Sequence, residues 1–431
     1  MQFLDKLKEN SLDHFKPFIF RESEKICLND IIKQNTDHLA QIQQGDVVVI
    51  IGDFDPISIS NLIKLIDIGA IIVPLTNDTK PLHDYFFKNS FADYVLEGNS
   101  LIEINNGHTK NKFIEDLKEK GHPGLILFST GTTGRPKAIL HDFSNFIERY
   151  QTNRPSLKTL NFLLFDHIGG INTLFHTIMN NGEVFVPKER TPRGIANEIF
   201  ENKIELLPTS PSFLRMMLIE EVFDTKLLSS LKLITYGTEK MDENTLKLIS
   251  TKVDSDIRQT YGMSELGIFK VITKSRDDLW IKIVGKGIET KIDEGVLKIK
   301  SQIRMLGYLN ADSPFDENGW YDTGDVVEED GEWIKIVGRK KQLISTGGLK
   351  ILPSEVEYAI MKIDTIKDCK VFGRDNPILG QHIEAIIELN ESSNLTKKDI
   401  KDKLKDLLPS YALPHRIKFE NIQYNHRYKK S

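Results

Sequence analysis

Residues 125–137 read LILFSTGTTGRPK, an apolar segment that runs directly into a loop of glycines, hydroxyls and cations. The apolar part, 125–128, is typical of a parallel strand that is buried on both faces. Glycines permit tight backbone, and hydroxyl and cationic side chains suit a phosphate-bearing ligand. The loop lacks the spacing of a Walker A motif, so composition alone leaves a phosphate site and a plain flexible turn open. The loop residues are Ser129, Thr130, Gly131, Thr132, Thr133, Gly134, Arg135, Pro136 and Lys137.

Strand and helix patterns alternate on both sides of this loop. The apolar, β-branched runs 46–51 and 70–75 flank a helical pattern that ends at Gly69, and this βαβ unit predicts a doubly wound sheet. Further strands are predicted at 162–165, 206–209, 231–236 and 256–261, with a helix at 194–203. From 281 to 340 the pattern changes to short β segments with turn signals, which predicts a small antiparallel unit.

The last 90 or so residues have a different pattern. Pro353 is expected to open a helix, strands are predicted at 369–372 and 383–389, and Thr396 is expected to cap a second helix. That helix would place Ile400, Leu404, Leu407 and Leu408 on one face. We therefore predict an α/β protein. Its large N-terminal domain, 1–339, would hold doubly wound, mostly parallel sheets plus the antiparallel unit, and 340–431 would form a small α+β domain.

Composition narrows the functional classes. The chain has 431 residues and a net charge of −5, so the electrostatic argument for a nucleic-acid partner is missing. Cys27 and Cys369 are the only cysteines, which excludes a disulfide framework and a four-cysteine zinc site. The N-terminus has no signal-like apolar region, and no apolar run approaches the roughly 20 residues of a membrane span. We expect a cytoplasmic protein without a membrane span.

The segment LILFSTGTTGRPKAILHDF at 125–143 resembles the signature of the adenylate-forming (AMP-binding) superfamily, with Ala138 in place of the glycine common after the lysine. That superfamily contains acyl- and aryl-CoA synthetases, firefly luciferase and peptide-synthetase adenylation domains. Other motifs of the family follow in order: TYGTE at 235–239, YGMSE at 261–265, GWYDTGD at 319–325, and the segment from GRKK at 338–341 to PSEVE at 353–357. The chain is identified as a compact, acyl/aryl-CoA synthetase-like member.

The resemblance implies a two-step reaction. ATP would activate a carboxylic acid to an acyl-AMP with release of pyrophosphate, and the acyl group would then pass to a thiol, with coenzyme A as the first choice. ATP, Mg²⁺ and coenzyme A are thus the implied cofactors and co-substrates. An acyl carrier protein or an amine as acceptor is the alternative within the family. A non-catalytic nucleotide-binding module is the alternative of another class.

The resemblance also assigns roles around ATP. The loop 129–137 would hold the β- and γ-phosphates, with Thr130, Thr132 and Thr133 as donors. For Arg135 and Lys137, an orientation toward solvent is the alternative. Glu265 would coordinate Mg²⁺ and Ser264 would donate to the α-phosphate. The adenine and ribose would be bound by Gly237, Thr238, Tyr261, Asp325 and Arg339.

Three assignments concern the C-terminal domain, which the resemblance implies is mobile. Counting from Pro414, the family's catalytic lysine falls on Lys430, although Lys429 stands where glycine is usual. Lys429 itself and a plain charged tail therefore stay open as alternatives. Lys341 occupies the hinge position of the family. Gly347 and Gly348 would line the tunnel that brings the thiol to the acyl-adenylate.

The acid pocket is expected near residues 166–170, DHIGG. CoA ligases carry a histidine followed by glycines here, which makes His167 the candidate gate and Gly169 and Gly170 its neighbours. A core histidine with satisfied hydrogen bonds is the alternative. Amino-acid-activating relatives place an aspartate nearby, and Asp166 is one position away. The two glycines favour the CoA-ligase alignment.

Overall fold

The structure is a computed structural model that describes residues 3–104, 111–129, 135–150, 155–223, 226–376, 380–390, 393–424 and 430. Thr130, Gly131, Thr132, Thr133 and Gly134 of the predicted phosphate loop lie outside the described residues, as does Lys429. Within the described part of the chain, the strands form four sheets. No helix in that part is long and apolar enough to cross a membrane.

The first 260 residues build two of the sheets. The helices are α1 (Phe3–Asn10), α2 (Leu28–Lys33), α3 (Pro56–Ile68), α4 (His83–Ser90), α5 (Lys112–Lys120), α6 (Phe143–Arg149), α7 (Ile168–Ile178), α8 (Pro192–Asn202), α9 (Pro211–Ile219) and α10 (Glu243–Lys252). The strands are β1 (Pro17–Arg21), β2 (Glu24–Cys27), β3 (Val47–Ile51), β4 (Ile71–Leu75), β5 (Tyr94–Glu97), β6 (Ser100–Glu103), β7 (Gly124–Phe128), β8 (Ala138–Asp142), β9 (Lys158–Leu160), β10 (Glu183–Val186), β11 (Leu206–Thr209), β12 (Leu233–Tyr236) and β13 (Asp256–Gln259).

Two further groups of elements follow. The antiparallel strands are β14 (Tyr261–Met263), β15 (Gly267–Thr273), β16 (Ile281–Val284), β17 (Ile288–Asp293), β18 (Val296–Ser301), β19 (Gly307–Tyr308), β20 (Tyr321–Asp330) and β21 (Trp333–Arg339). The C-terminal elements are β22 (Ile344–Thr346), β23 (Leu349–Ile351), α11 (Pro353–Met361), β24 (Ile366–Asn376), β25 (Gly380–Leu389), α12 (Lys397–Lys405) and β26 (Arg416–Phe419).

The first sheet has the order β19-β8-β7-β4-β3-β5-β6, with β7, β4, β3 and β5 parallel. The helix α3 connects β3 to β4 as predicted. Its first turn carries Pro56 behind the cap residue Asp55, and it ends at Gly69 with φ of 86°, a left-handed conformation that suits glycine. The strand β8 runs antiparallel to β7, so the predicted phosphate loop lies in the segment between two paired strands, which we call the loop hairpin.

The second sheet has the order β13-β12-β11-β9-β10-β1-β2. The predicted strand at 162–165 is wrong, because the strand of this region is β9 and the chain then forms the loop that leads into α7. Phe162 packs on Phe213 with 4.2 Å between ring centroids, and Phe165 meets Phe54 edge-on. Packing rather than strand pairing buries these apolar residues, which is why the run resembles a strand.

The third sheet, β14-β15-β16-β21-β20-β18-β17, is antiparallel and follows the two parallel sheets in the chain. The fourth sheet contains β22 to β26 and lies entirely after residue 339. The fold class predicted from the sequence is therefore confirmed, whereas the exact domain boundary stays a prediction.

Thr396 caps α12 as expected, but the helix ends at Lys405, and Leu407 is 43% exposed rather than part of an apolar face.

The largest apolar core lies between the first two sheets. It joins Val48 and Ile50 of the first sheet to Val184 of the second, with α3 and α7 packed in the layer between them. The carboxyl ends of the parallel strands and the loops that follow them are thereby held on a rigid base, which is where α/β folds place their ligands.

Candidate active site

The phosphate loop is closed at its base by paired backbone. Ser129 N–H donates to the carbonyl of Lys137 at 3.0 Å, and Lys137 N–H donates to Ser129 Oγ at 3.0 Å. Asn310 holds the same base from outside, since its Oδ1 accepts from Ala138 N–H at 2.8 Å and its Nδ2 donates to the carbonyl of Pro136 at 3.1 Å. Asn310 was not predicted from the sequence, because it lies 172 positions from its partner Ala138.

Lys137 and Glu265 both contact Tyr308, the first through its aromatic ring and the second through its hydroxyl. The Lys137 ammonium lies 4.5 Å from the ring centroid of Tyr308, and the Tyr308 hydroxyl donates to Glu265 Oε1 at 2.8 Å. Burial raises the pKa of the Tyr308 phenol, and the charge of Glu265 raises it further, so the phenol remains a donor. Tyr308 was not predicted, and no motif around it in the sequence would have indicated it.

The YGMSE motif is tied directly to the loop hairpin. His141 on β8 is fully buried, and its Nε2 lies 2.6 Å from the carbonyl of Ser264. The structure therefore brings Ser264 and Glu265 to the hairpin that carries the phosphate loop. The role of each residue toward a phosphate or a metal stays a prediction.

Tyr261, Asp325 and Arg339 form a connected group. The Tyr261 hydroxyl donates to Asp325 Oδ2 at 2.6 Å, and Arg339 Nε donates to Asp325 Oδ1 at 2.9 Å. Burial raises the pKa of Tyr261 well above its usual value, and Asp325 adds to the effect. Tyr261 is 6% exposed and packs on Phe269, so it is also a core aromatic. Its predicted stacking on adenine is not tested by these contacts.

Gly237 and Thr238 follow the carboxyl end of β12. A Cβ at Gly237 would lie 2.3 Å from Thr260 Oγ1, which donates to the carbonyl of Tyr236, so a larger residue would displace this hydroxyl. Thr238 has φ of 71°, a left-handed conformation that β-branched residues rarely adopt. Strain of this kind clusters at ligand sites, which fits the predicted role of this segment beside adenine.

His167 and the two glycines form the start of α7. His167 Nδ1 accepts from Gly169 N–H at 3.1 Å, so the ring caps the helix. A Cβ at Gly170 would lie 2.1 Å from the carbonyl oxygen of Leu164. Close approach of the helix to its own loop therefore explains the glycine without reference to a substrate. The predicted gating role of His167 stays a prediction.

The predicted hinge and tunnel residues are exposed at the start of the C-terminal region. Lys341 lies in a short 3₁₀ turn, 340–342. Gly347 and Gly348 have φ of 58° and 81° and form the two-residue turn between β22 and β23, where only left-handed residues close the hairpin well.

Lys430 lies apart from this group of contacts. Its ammonium donates to Asp368 Oδ1 at 2.7 Å and to the carbonyl of Cys369 at 2.6 Å, both on β24. The arrangement therefore places the predicted catalytic lysine in an ion pair of the fourth sheet.

Comparisons with known proteins agree with the fold and the motifs. Residues 38–293 match the family model "AMP-binding enzyme", and 355–422 match "AMP-binding enzyme C-terminal domain". YdaB of Bacillus subtilis (strain 168), a protein assigned as an acyl–CoA ligase, is 25% identical over 440 residues, which cover 88% of this chain and 86% of YdaB.

Two other proteins extend the comparison. Indoleacetate–CoA ligase of Aromatoleum aromaticum is 26% identical over 324 residues, which cover 69% of this chain and 63% of that protein. The crystal structure of ATP-bound MatB from Rhodopseudomonas palustris superposes with a TM-score of 0.84 at 17% identity, covering 99% of this chain and 97% of MatB. This structural likeness supports the fold.

Proposed function

The chain belongs to the AMP-binding enzyme family, and from that premise we propose that it is an AMP-forming acid–CoA ligase. A carboxylate oxygen attacks the α-phosphorus of ATP and pyrophosphate leaves. The thiol of coenzyme A then attacks the carbonyl carbon of the acyl-AMP, and AMP leaves. The observation that supports this function best is that the loop cation Lys137 and the carboxylate of Glu265 both contact Tyr308.

The first step brings two anions together, so positive charge has to offset their repulsion. Lys137 supplies a cation at the base of the loop, and Arg135 supplies another, 5.8 Å from the ring of Tyr85. Tyr85 is itself fixed, because its hydroxyl donates to the carbonyl of Pro136 at 2.8 Å. We infer that both cations face the pyrophosphate portion of ATP.

Mg²⁺ is proposed at Glu265. Among the described residues, no group of three or more histidine, cysteine or acidic side chains could hold a metal by itself. Mg²⁺ is commonly bound by one or two carboxylates together with substrate phosphates and water, so the single carboxylate of Glu265 fits this ion. When bound, Mg²⁺ would neutralise phosphate charge, and Tyr308 would orient the carboxylate through its hydrogen bond.

Asp325 and Arg339 are proposed to bind the ribose. Asp325 is 4% exposed, and its charge is balanced by Arg339. A carboxylate can accept from both ribose hydroxyls, and Arg339, whose side chain is 55% exposed, can contact the same sugar from the solvent side. The Tyr261 hydroxyl on Asp325 Oδ2 fixes the carboxylate for this contact.

Coenzyme A is the proposed acceptor, and an acyl carrier protein is the alternative acceptor. Family membership supports the adenylation step for both acceptors. The relatives named as CoA ligases support the free thiol. A cytoplasmic location stays a prediction from the sequence.

ATP–pyrophosphate exchange tests the function over a panel of short, branched, aromatic, dicarboxylic and amino acids. Exchange that depends on one acid class, followed by coenzyme A-dependent release of AMP, supports an acid–CoA ligase. AMP release only with a phosphopantetheinylated carrier protein would show that the acceptor is a carrier protein and not coenzyme A. ATP binding with no exchange for any acid would leave a nucleotide-binding module, and ADP as product would contradict the proposal.

A further inference from the structure

Asp368 is the centre of a buried charge cluster that involves the predicted catalytic lysine. Its side chain is 1% exposed. Oδ1 accepts from Lys430 Nζ at 2.7 Å, from Arg215 Nη1 at 3.3 Å and from the backbone N–H of Cys369 at 2.8 Å. Oδ2 accepts from the hydroxyl of Tyr424. Both oxygens of the Asp368 carboxylate therefore accept hydrogen bonds, and the charges of Lys430 and Arg215 offset its negative charge.

The cluster joins two distant parts of the chain. Arg215 lies on α9, before the predicted domain boundary, whereas Asp368 lies on β24, beyond it, 153 residues away. The other side of the guanidinium donates to Asp242, the cap residue of α10. Arg215 is thus held by its own domain and reaches across to Asp368.

Arg215 and Lys430 supply the positive charge that faces these buried carboxylates. Arg215 and Lys430 are each 15% exposed, and they face Asp368 and Asp242, which are 1% and 17% exposed. The two cations hold the pKa of Asp368 below its usual value against the effect of burial. Removal of one partner from a buried pair leaves an uncompensated charge, which is costly.

The described contacts of Lys430 lie within this cluster and not among the residues proposed to bind ATP. Two acceptors already lie within 2.7 Å of its ammonium. For Lys430 to reach an acid and ATP, it has to leave Asp368. A rotation of the C-terminal region would also separate Asp368 from Arg215, because these two residues lie on opposite sides of the predicted domain boundary.

We propose that Asp368 is a positioning residue that holds Lys430 away from the adenylation site, and that Arg215 locks this arrangement from the other domain. The proposal rests on the proposed function, in which Lys430 is the adenylation lysine. Asp368 and Arg215 thereby favour the thioester-forming half-reaction over adenylation. Neither residue touches a substrate.

Two variants test the proposal. Asp368→Asn keeps the shape and removes the charge, and Arg215→Met keeps much of the volume and removes the cross-domain cation. In both, we expect the rate of ATP–pyrophosphate exchange to rise relative to thioester formation from pre-made acyl-AMP. The expected change in this ratio is about five-fold or more, the lower range of coupling between sites. Lys367→Met is the matched control, because Lys367 pairs with Glu388 on the neighbouring strand at 2.6 Å, outside the cluster.

A chemical readout accompanies the rates. Limited labelling with an amine-reactive succinimidyl ester, read by peptide mass spectrometry, should modify Lys430 slowly in the wild-type chain and several-fold faster in both variants. Lys405, whose side chain is 61% exposed, is the internal reference. Thermal unfolding of each variant shows whether it is folded, and Arg215→Met decides the question if Asp368→Asn is not.

The outcomes distinguish a failure of this proposal from a failure of the proposed function. A raised ratio with faster Lys430 labelling supports the proposal. A parallel fall of both half-reactions, or labelling of Lys430 that matches the wild type, overturns it and leaves the cluster as a purely structural contact. Absence of acid-dependent exchange in the wild type contradicts the proposed function instead, and labelling alone then decides whether Asp368 holds Lys430.

Discussion

At the scale of single residues, Tyr308 connects the phosphate loop to the proposed metal ligand. Its ring supports the Lys137 ammonium, and its hydroxyl donates to Glu265. Tyr308 lies on β19, a two-residue strand that pairs with β8 of the loop hairpin. A short strand at the edge of the first sheet thus delivers a side chain to the centre of the site.

Tyr308→Phe separates the ring contact with Lys137 from the hydroxyl contact with Glu265. The ring beneath Lys137 is retained, while Glu265 loses a donor to its carboxylate. A hydrogen bond to a charged group contributes about 1.5–3 kcal/mol, so we expect the KM for magnesium ATP in pyrophosphate exchange to rise about tenfold or more. Tyr411→Phe, at a tyrosine that is 46% exposed, is the control. An unchanged KM would show that the hydroxyl does not orient Glu265 for the metal.

At the scale of elements, the loop between β9 and α7 shows why a local pattern misled. The apolar residues at 162–165 predicted a strand, yet aromatic packing from other segments buries Phe162 and Phe165 in an irregular loop. The close approach of α7 to this loop requires Gly170, since a Cβ there would lie 2.1 Å from a backbone oxygen. At Gly169 the nearest atom, at 2.7 Å, is the end of the flexible Leu163 side chain.

Gly170→Ala and Gly169→Ala form a matched pair for this geometry. We expect Gly170→Ala to lower the free energy of unfolding by about 2–3 kcal/mol, and Gly169→Ala to lower it by about 1 kcal/mol, within the range for overpacked sites. Urea unfolding measures both values. Equal losses would mean that the backbone of the loop moves as easily as the leucine side chain.

The contact between α11 and β24 carries a second prediction at this scale. Glu357 on α11 accepts from the N–H of Val371 on β24 at 2.9 Å. Burial raises the pKa of its carboxyl above the usual value of 4.5, although Lys430 opposes the shift. An acid whose pKa is raised by folding costs no stability below its unfolded pKa, and the cost grows as pH rises from there toward its folded pKa.

Glu357→Gln removes this cost and keeps an acceptor for Val371. The difference in melting temperature between variant and wild type should therefore shift in favour of the variant as pH rises above about 4.5. Thermal unfolding from pH 4 to pH 8 measures it. A difference that does not change with pH would show that burial does not perturb this carboxyl.

The site was predictable to the extent that its residues stand in contiguous motifs. The loop, YGMSE and GWYDTGD segments named Lys137, Glu265 and Asp325, and the structure gives each of them a contact with another residue of the candidate site, while their roles stay predictions. Asn310, Tyr308, Arg215 and Asp368 carry no local pattern. Their contacts join residues up to 225 positions apart, and such contacts arise only when the sheets pack.

At the scale of the whole molecule, the proposed function requires the C-terminal region to move relative to the rest of the chain. The chain leaves β21 at Arg339, passes the exposed turn 340–342 and enters the fourth sheet. Contacts that cross this junction include Arg215 with Asp368, and Lys240, whose ammonium donates to Ser354 Oγ at 3.2 Å. The turn is therefore the covalent link across which the proposed rotation would occur.

Lys341→Pro tests the hinge. Proline fixes φ near −65° and should restrict rotation, so thioester formation from pre-made acyl-AMP is expected to fall at least tenfold while pyrophosphate exchange is largely kept. Lys341→Ala, which removes the side chain and leaves the backbone free, should retain both half-reactions. Thioester formation at the wild-type rate in the proline variant would remove Lys341 from the mechanism.

The central claim is that the carboxylate becomes joined to AMP. The most direct measurement uses an acid that supports exchange, labelled with oxygen-18 in its carboxylate, together with ATP and coenzyme A. Because the carboxylate oxygen bonds to the α-phosphorus and the C–O bond breaks when the thiol attacks, the account predicts one labelled oxygen in each AMP and none in pyrophosphate. Label in inorganic phosphate with ADP as the nucleotide product, or unlabelled AMP, would contradict it.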